Sequence, residues 1–153
     1  MAYDLATVLP QLLPRAIAWA EVRSAEVLGK GIVLTPEGLA LARAVGVSQP
    51  EQTRISLVDR LPLPEDPELR EAALQSGLLG PGMIGITFGY AIYICKGHAT
   101  NRLLSHECRH VYQYEAAGSI ASYLPLYLEQ IVTHGYEHAP FEIDARSYER
   151  EVP

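Results

Sequence analysis

Residues 106–110 read His-Glu-Cys-Arg-His. Histidines four apart on a helix project in the same direction, so His106 and His110 can both reach one Zn²⁺. Glu107, next to the first histidine, then sits beside the metal without binding it. From there it can take a proton from an attacking water and pass it to the leaving amine of a cleaved amide, the work of a general base. A shuffled chain of this composition shows the pattern with a probability of roughly 1.5%, so its presence carries information. The five histidines (His98, His106, His110, His134 and His138) all lie between residues 98 and 138, and the first 97 residues hold none.

A zinc site of this kind needs a third protein ligand. The longer pattern His-Glu-x-x-His-x-x-Gly-x-x-His would supply one, but Gln113 and Ala116 stand where its glycine and third histidine belong. The ligand must therefore come from further along, and Glu115, Glu129, His134, Glu137, His138, Glu142, Asp144 and Glu149 are the candidates. Glu142 is favoured, with His138 as the alternative. Pro140 opens a helix there that can pack through Phe141 and Ala145 and aim a first-turn carboxylate at the metal. The plainer account of Glu142 is that it only stabilises the start of its helix through the dipole. Tyr136, His138 and His134 flank the preceding link, and each is a candidate to donate a hydrogen bond to a developing oxyanion or to support a ligand. For each of them, loop exposure or helix-end packing is the simpler explanation. Cys95 and Cys108 read as buried apolar side chains.

The elements that must position these groups follow from periodicity and punctuation. Apolar spacing predicts helices over residues 15–28 and 36–45, the second with Thr35 as its cap and Gly46 as its stop. Residues 54–59 read as a strand, 61–67 as a proline-rich loop, and Asp66-Pro67-Glu68 as the opening of another short helix. Residues 84–95 alternate, either as one long strand or as a hairpin turning near Gly89-Tyr90. One face of that segment is made mostly of small residues, which invites close approach by a helix. Thr100 or Asn101 caps a helix to Ala117, Ser119 caps a second to His134, and Pro140 starts a third reaching towards Glu151.

With 153 residues the chain suits a single domain, residues 1–80 forming a mainly helical scaffold and residues 84–151 the half that holds the metal site. A hydrophobic content of 48% against 20% charged residues argues against global disorder. The net charge of −6 argues against a nucleic-acid partner or an anionic membrane surface. No segment has the length of a membrane span or the form of a secretory signal, so the expectation is a cytoplasmic protein with reduced thiols.

The run from Thr87 to Ile94 and the run Arg102-Leu103-Leu104-Ser105-His106-Glu107-Cys108-Arg109-His110-Val111-Tyr112-Gln113-Tyr114 together resemble the zincin-like metallopeptidases. The nearest likeness is to the small bacterial metallopeptidase domain found also in the cores of extracellular contractile injection systems. Members share a glycine-turned hairpin, a Leu-Leu-x-His-Glu helix and a glutamine shortly after the second histidine. A Pro-x-Glu-x-x-Ala element at Pro140 to Ala145 extends the likeness. The resemblance implies a small zincin-like α+β domain, with a short sheet packed on the motif helix and further helices after it. It implies Zn²⁺ held by His106 and His110, Glu107 as general base, and a peptide or protein substrate pairing with the strand that ends at Cys95. Glutamate-ligand zincins carry an acid four residues after that glutamate to orient a histidine; here the position is Arg146, so Asp144 or a backbone carbonyl would have to serve instead. The other function compatible with the same residues is a zincin-fold module that holds metal and serves interaction or assembly without catalysis.

Overall fold

Helix α1 (Leu5–Lys30) begins well before residue 15, where the apolar spacing first becomes regular. Pro10 and Pro14 lie inside it, but both are exposed, so the carbonyls they leave without a donor face water. Leu12, Ala16, Ala20, Ser24 and Val27 make a continuous buried stripe along the opposite side, and that burial carries the helix through the prolines. The computed structural model describes residues 4–153.

After α1 come β1 (Ile32–Val33), α2 (Pro36–Ala44), a 3₁₀ turn (Pro50–Gln52), β2 (Arg54–Val58) and α3 (Pro67–Gln75). They are followed by β3 (Gly85–Phe88), β4 (Ala91–Cys95), α4 (Asn101–Ala117), α5 (Ile120–His134) and α6 (Pro140–Ser147). The architecture is α+β, with six helices and one four-stranded mixed sheet. The two-residue β1 carries no periodic signal in the sequence. Caps sit where the local chemistry demands. Thr35 accepts from Gly38 N–H, Asp66 from Glu68 and Leu69 N–H, Thr100 from Leu103 N–H, and Ser119 from Ser122 N–H.

The alternating segment is a hairpin. Phe88 pairs with Ala91, and Gly89 takes a φ of +67° in the two-residue turn, a conformation that glycine adopts without strain. The sheet order is β1-β2-β4-β3, with β2 and β4 parallel and both outer pairs antiparallel. This corrects the expectation that the strand ending at Cys95 borders a cleft. β4 is central and paired on both sides; β3 is one edge of the sheet and β1 the other.

The pleat divides the core. Ile92 and Ile94 pack with Leu34, Ala42, Val45, Cys108 and Val111 of α2, α4 and their loops. Phe88, Ala91, Tyr93 and Cys95 belong to the larger cluster with α1 and α5. Both cysteines are free and buried. The hairpin splits the expected small face: Gly85 and Thr87 lie against α4 on the side of Ile92 and Ile94, while Ala91, Tyr93 and Cys95 join Phe88 on the other side. Residues before 80 are more than helical scaffold, since they supply two of the four strands and one wall of the cavity described below. No helix among the described residues is long and apolar enough to cross a membrane.

Candidate metal centre

Helix α4 presents three faces. Cys108 and Val111 go into the α2-side core, His106 and His110 turn towards α6, and Glu107 turns towards β3. Its ends are fixed by the Thr100 cap and by Gly118 at φ +100°. Pro140 starts α6, and Glu142 in its first turn is only 1% exposed.

The Glu142 carboxylate bridges the two histidines. Its Oε1 lies 3.2 Å from His106 Nε2 and its Oε2 3.0 Å from His110 Nε2. One donor atom from each of the three residues lies within 4.8 Å of the others. Zn–N and Zn–O bonds of 2.0–2.2 Å at tetrahedral angles put ligand atoms about 3.3 Å apart, so the spacing suits one small cation.

Both imidazoles are oriented from behind. His106 Nδ1 is 2.8 Å from Glu149 Oε2, and Arg102 Nε donates to the other Glu149 oxygen at 2.8 Å. His110 Nδ1 is 2.8 Å from Gln113 Oε1. The Gln113 amide is itself fixed, because its Nε2 donates to Asp144 Oδ2 and to the Phe141 carbonyl, while Tyr123 Oη donates to its Oε1. Each Nδ1 therefore faces an acceptor and must carry its hydrogen. That leaves both Nε2 lone pairs aimed at a carboxylate, an arrangement a cation resolves and neutral imidazoles alone do not. Without metal, protons play that part. Burial lowers the His106 pKa, but the Glu142 hydrogen bond and the Glu107, Glu142 and Glu149 carboxylates outweigh it and hold the group at about 9. His110 is raised for the same kind of reason. Burial alone would raise Glu142; the His110 charge and hydrogen bonds from His106, His110 and Tyr127 instead hold it well below the usual carboxylate range.

Glu107 is not part of this donor set. It is 3% exposed, and Thr87 Oγ1 donates to its Oε1 at 2.7 Å. A Cβ on Gly85 would stand 3.0 Å from Glu107 Oε2, so the edge strand touches the carboxylate where only glycine leaves room. Burial raises the Glu107 pKa above the ordinary carboxylate value, opposed by the two histidine charges and the Thr87 hydrogen bond, so the group takes up a proton more readily than an exposed glutamate.

Among the proposed supporting residues, Tyr136 lines the same cavity as Glu107, His110 and Glu142, and burial with the Glu142 and Glu107 charges keeps its phenol protonated. His134 and His138 are exposed and lie outside that cavity wall. The other third-ligand candidates are also placed. Glu115 accepts from the Ser48 and Gln49 N–H groups and from Tyr90 Oη, Asp144 holds Arg109 and Gln113, and Glu129 and Glu137 are exposed. Glu149 reaches the centre at His106 Nδ1 rather than Nε2, taking the orienting role that Arg146 does not; Arg146 donates to the Glu137 carbonyl instead. The part played by Gln113 is a contact three residues along α4, whereas that of Glu149 is shown only by a tertiary contact, because α6 stops at Ser147 before it. Comparison of the chain with protein-family models, curated proteins and solved structures returned no match.

Proposed function

We propose that the chain is a zinc-dependent metallopeptidase with a zincin-like site. The observation that carries this is the joint arrangement of two Nε2 atoms and one carboxylate at ligand spacing, with both Nδ1 atoms engaged and a second, non-ligand carboxylate, Glu107, alongside. His106, His110 and Glu142 would hold the ion. When bound, it supplies a Lewis acid that polarises a carbonyl and lowers the pKa of a nucleophilic water. Glu107 accepts the proton of that water, with Thr87 and Gly85 fixing the carboxylate, and later delivers it to the leaving nitrogen. The protonated Tyr136 phenol is positioned on the same wall to donate to the developing oxyanion.

The test separates metal from chemistry. Purified chain should retain near-stoichiometric zinc through dialysis and lose it in His106→Ala and Glu142→Ala. Glu107→Gln should keep the zinc while peptide hydrolysis falls by at least a hundredfold. Retained zinc with no hydrolysis of any peptide by the unaltered chain would instead favour the interaction or assembly module.

A further inference from the structure

The sheet edge opposite β3 is β1. Gly31 and Thr35, which bracket it, are extended as well, with φ and ψ of −72° and 167° and of −67° and 167°. Ile32 is 57% exposed and Val33 63%. Soluble proteins ordinarily blunt an edge strand with a charge, a proline, a bulge or a covering element. β1 carries neither charge nor proline, and its exposure shows that no described residue covers it.

The hydrogen-bond pattern of β2 tells which backbone groups of β1 are free. Arg54 N–H donates to the Tyr90 carbonyl and Lys96 N–H to the Val58 carbonyl, so Arg54, Ser56 and Val58 turn their polar groups towards β4. Ile55 therefore turns its own towards β1, where its partner is Ile32. The N–H and C=O of Val33 are left on the open side of the sheet.

We propose that β1 is a self-association surface, on which the edges of two copies of this chain pair antiparallel about a two-fold axis at Val33 and join their sheets into one. Two observations select a second copy as the occupant. A two-fold contact needs a self-complementary edge, and a residue on the axis meets itself. Val33, with both backbone groups free, can exchange a pair of N–H···O=C bonds with Val33 of the second copy, while the two exposed side chains cover each other. The second observation is charge. Lys30 precedes the extended run and Glu37 follows it, and both are exposed. With the axis at Val33, Lys30 of each copy stands opposite Pro36 of the other and next to its Glu37. Parallel pairing would set like charge beside like. An axis at Ile32 would oppose Lys30 with Leu34 and would call on backbone groups already turned to β2. Backbone parity and charge thus choose the same register. The contact lies at the far edge of the sheet from Glu107 and stands whether or not the chain is a peptidase.

Analytical ultracentrifugation of the full chain over a wide range of loading should show a monomer–dimer equilibrium. Val33→Lys should weaken the dimer at least tenfold with Tm retained, because the side chain it replaces is exposed; Val33→Glu serves if that variant does not fold. Lys30→Glu should also weaken it, and adding Glu37→Lys to that variant should restore it, because the pairs are then only reversed. Hydrogen-bonded residues of an antiparallel pair have Cα atoms about 5.5 Å apart, within the reach of a disulfide. Val33→Cys should therefore give a covalent dimer with oxidised glutathione as oxidant, while Leu57→Cys, exposed but one strand inward, should not. A dimer indifferent to Val33→Lys, or one that the double charge reversal fails to restore, overturns the proposal. So does a chain that is monomeric at every loading, including one whose Val33 amide gains protection from exchange only when an unrelated strand-forming peptide is added, which would give the edge to another protein.

Discussion

Glu149 accepts the Nδ1 hydrogen of His106 at 2.8 Å, seven residues beyond Glu142 and outside the helix that carries it. A metal-binding histidine backed by a carboxylate is more basic and better oriented than one backed by water. Glu149→Gln keeps the shape of the contact and removes the charge. The zinc affinity should fall about 10- to 100-fold, measured by competition with a chromogenic chelator. The melting temperature of the metal-free chain should fall less than it does in Glu142→Ala. An unchanged affinity would show that Glu149 only follows Arg102.

Gly85→Ala tests the contact between the edge strand and Glu107. The new methyl group would stand 3.0 Å from Glu107 Oε2 and 3.2 Å from its Cδ, so either the strand or the carboxylate must move. Overpacking of this kind costs about 1–3 kcal/mol of stability. Zinc content should be retained, because Glu107 is not a ligand, while hydrolysis falls at least tenfold. Full activity together with an unchanged melting temperature would contradict this account.

The metal-free chain should lose stability as pH rises from 6.5 towards 9. The folded-state pKa of His106 is about 9 against 6.5 for the free side chain, so its contribution is complete below 6.5 and gone once pH passes 9. The change is on the order of 3 kcal/mol. The raised pKa values of His110 and Glu107 act in the same direction. Glu142, held below its ordinary 4.5, acts at the other end, and its contribution is lost as pH falls below that value. Thermal melts of chelator-treated protein should therefore peak between about pH 4.5 and 6.5. The zinc-induced rise in Tm should grow with pH across the same range, because the metal competes with protons for both Nε2 atoms. A flat apo profile from pH 6.5 to 9 would remove the electrostatic picture of the centre.

Arg109 ties α4 to α6. Its guanidinium lies 3.9 Å from the Tyr112 ring centroid and 3.7 Å from that of Tyr148, pairs with Asp144 at 2.8 Å and donates to the Val45 carbonyl. Arg109→Lys keeps the charge but loses the planar stack and the second donor to Asp144. A stability loss of about 2 kcal/mol should follow by chemical denaturation. Zinc affinity should weaken as well, since Asp144 holds the Gln113 amide behind His110. Wild-type stability in the lysine variant would reduce the sandwich to surface decoration.

The parts of this structure legible in the sequence are those governed by local chemistry. The limits of α4 follow from Thr100 and Gly118, and the shared direction of its two histidines from the four-residue spacing of His106 and His110. Glu142 was accessible because Pro140 fixes where α6 begins. What was not legible depends on partners distant in sequence. α1 crosses Pro10 and Pro14 because a buried stripe outweighs two missing donors, and a local rule sees only the donors. The central place of β4 is set by its parallel pairing with β2 across more than thirty residues, for which the alternation of residues 91–95 holds no sign. Glu149 lies in a non-repeating turn, so no periodicity marks it as the neighbour of His106.

The pairing of Gly85 with Ile94 and of Thr87 with Ile92 has a consequence for how the chain reaches its working form. Sliding β3 by a single residue would exchange glycine and threonine for Ile84, Ile86 or Phe88 on the side that meets α4. An isoleucine or phenylalanine at the place of Gly85 would already bring its Cβ to 3.0 Å from Glu107 Oε2, with the rest of the side chain still to fit. A slipped hairpin cannot seat on α4, so the same glycine that makes room for the Glu107 carboxylate also proofreads the fold. Molecules able to dock α4 against the sheet are those whose strand is already in register.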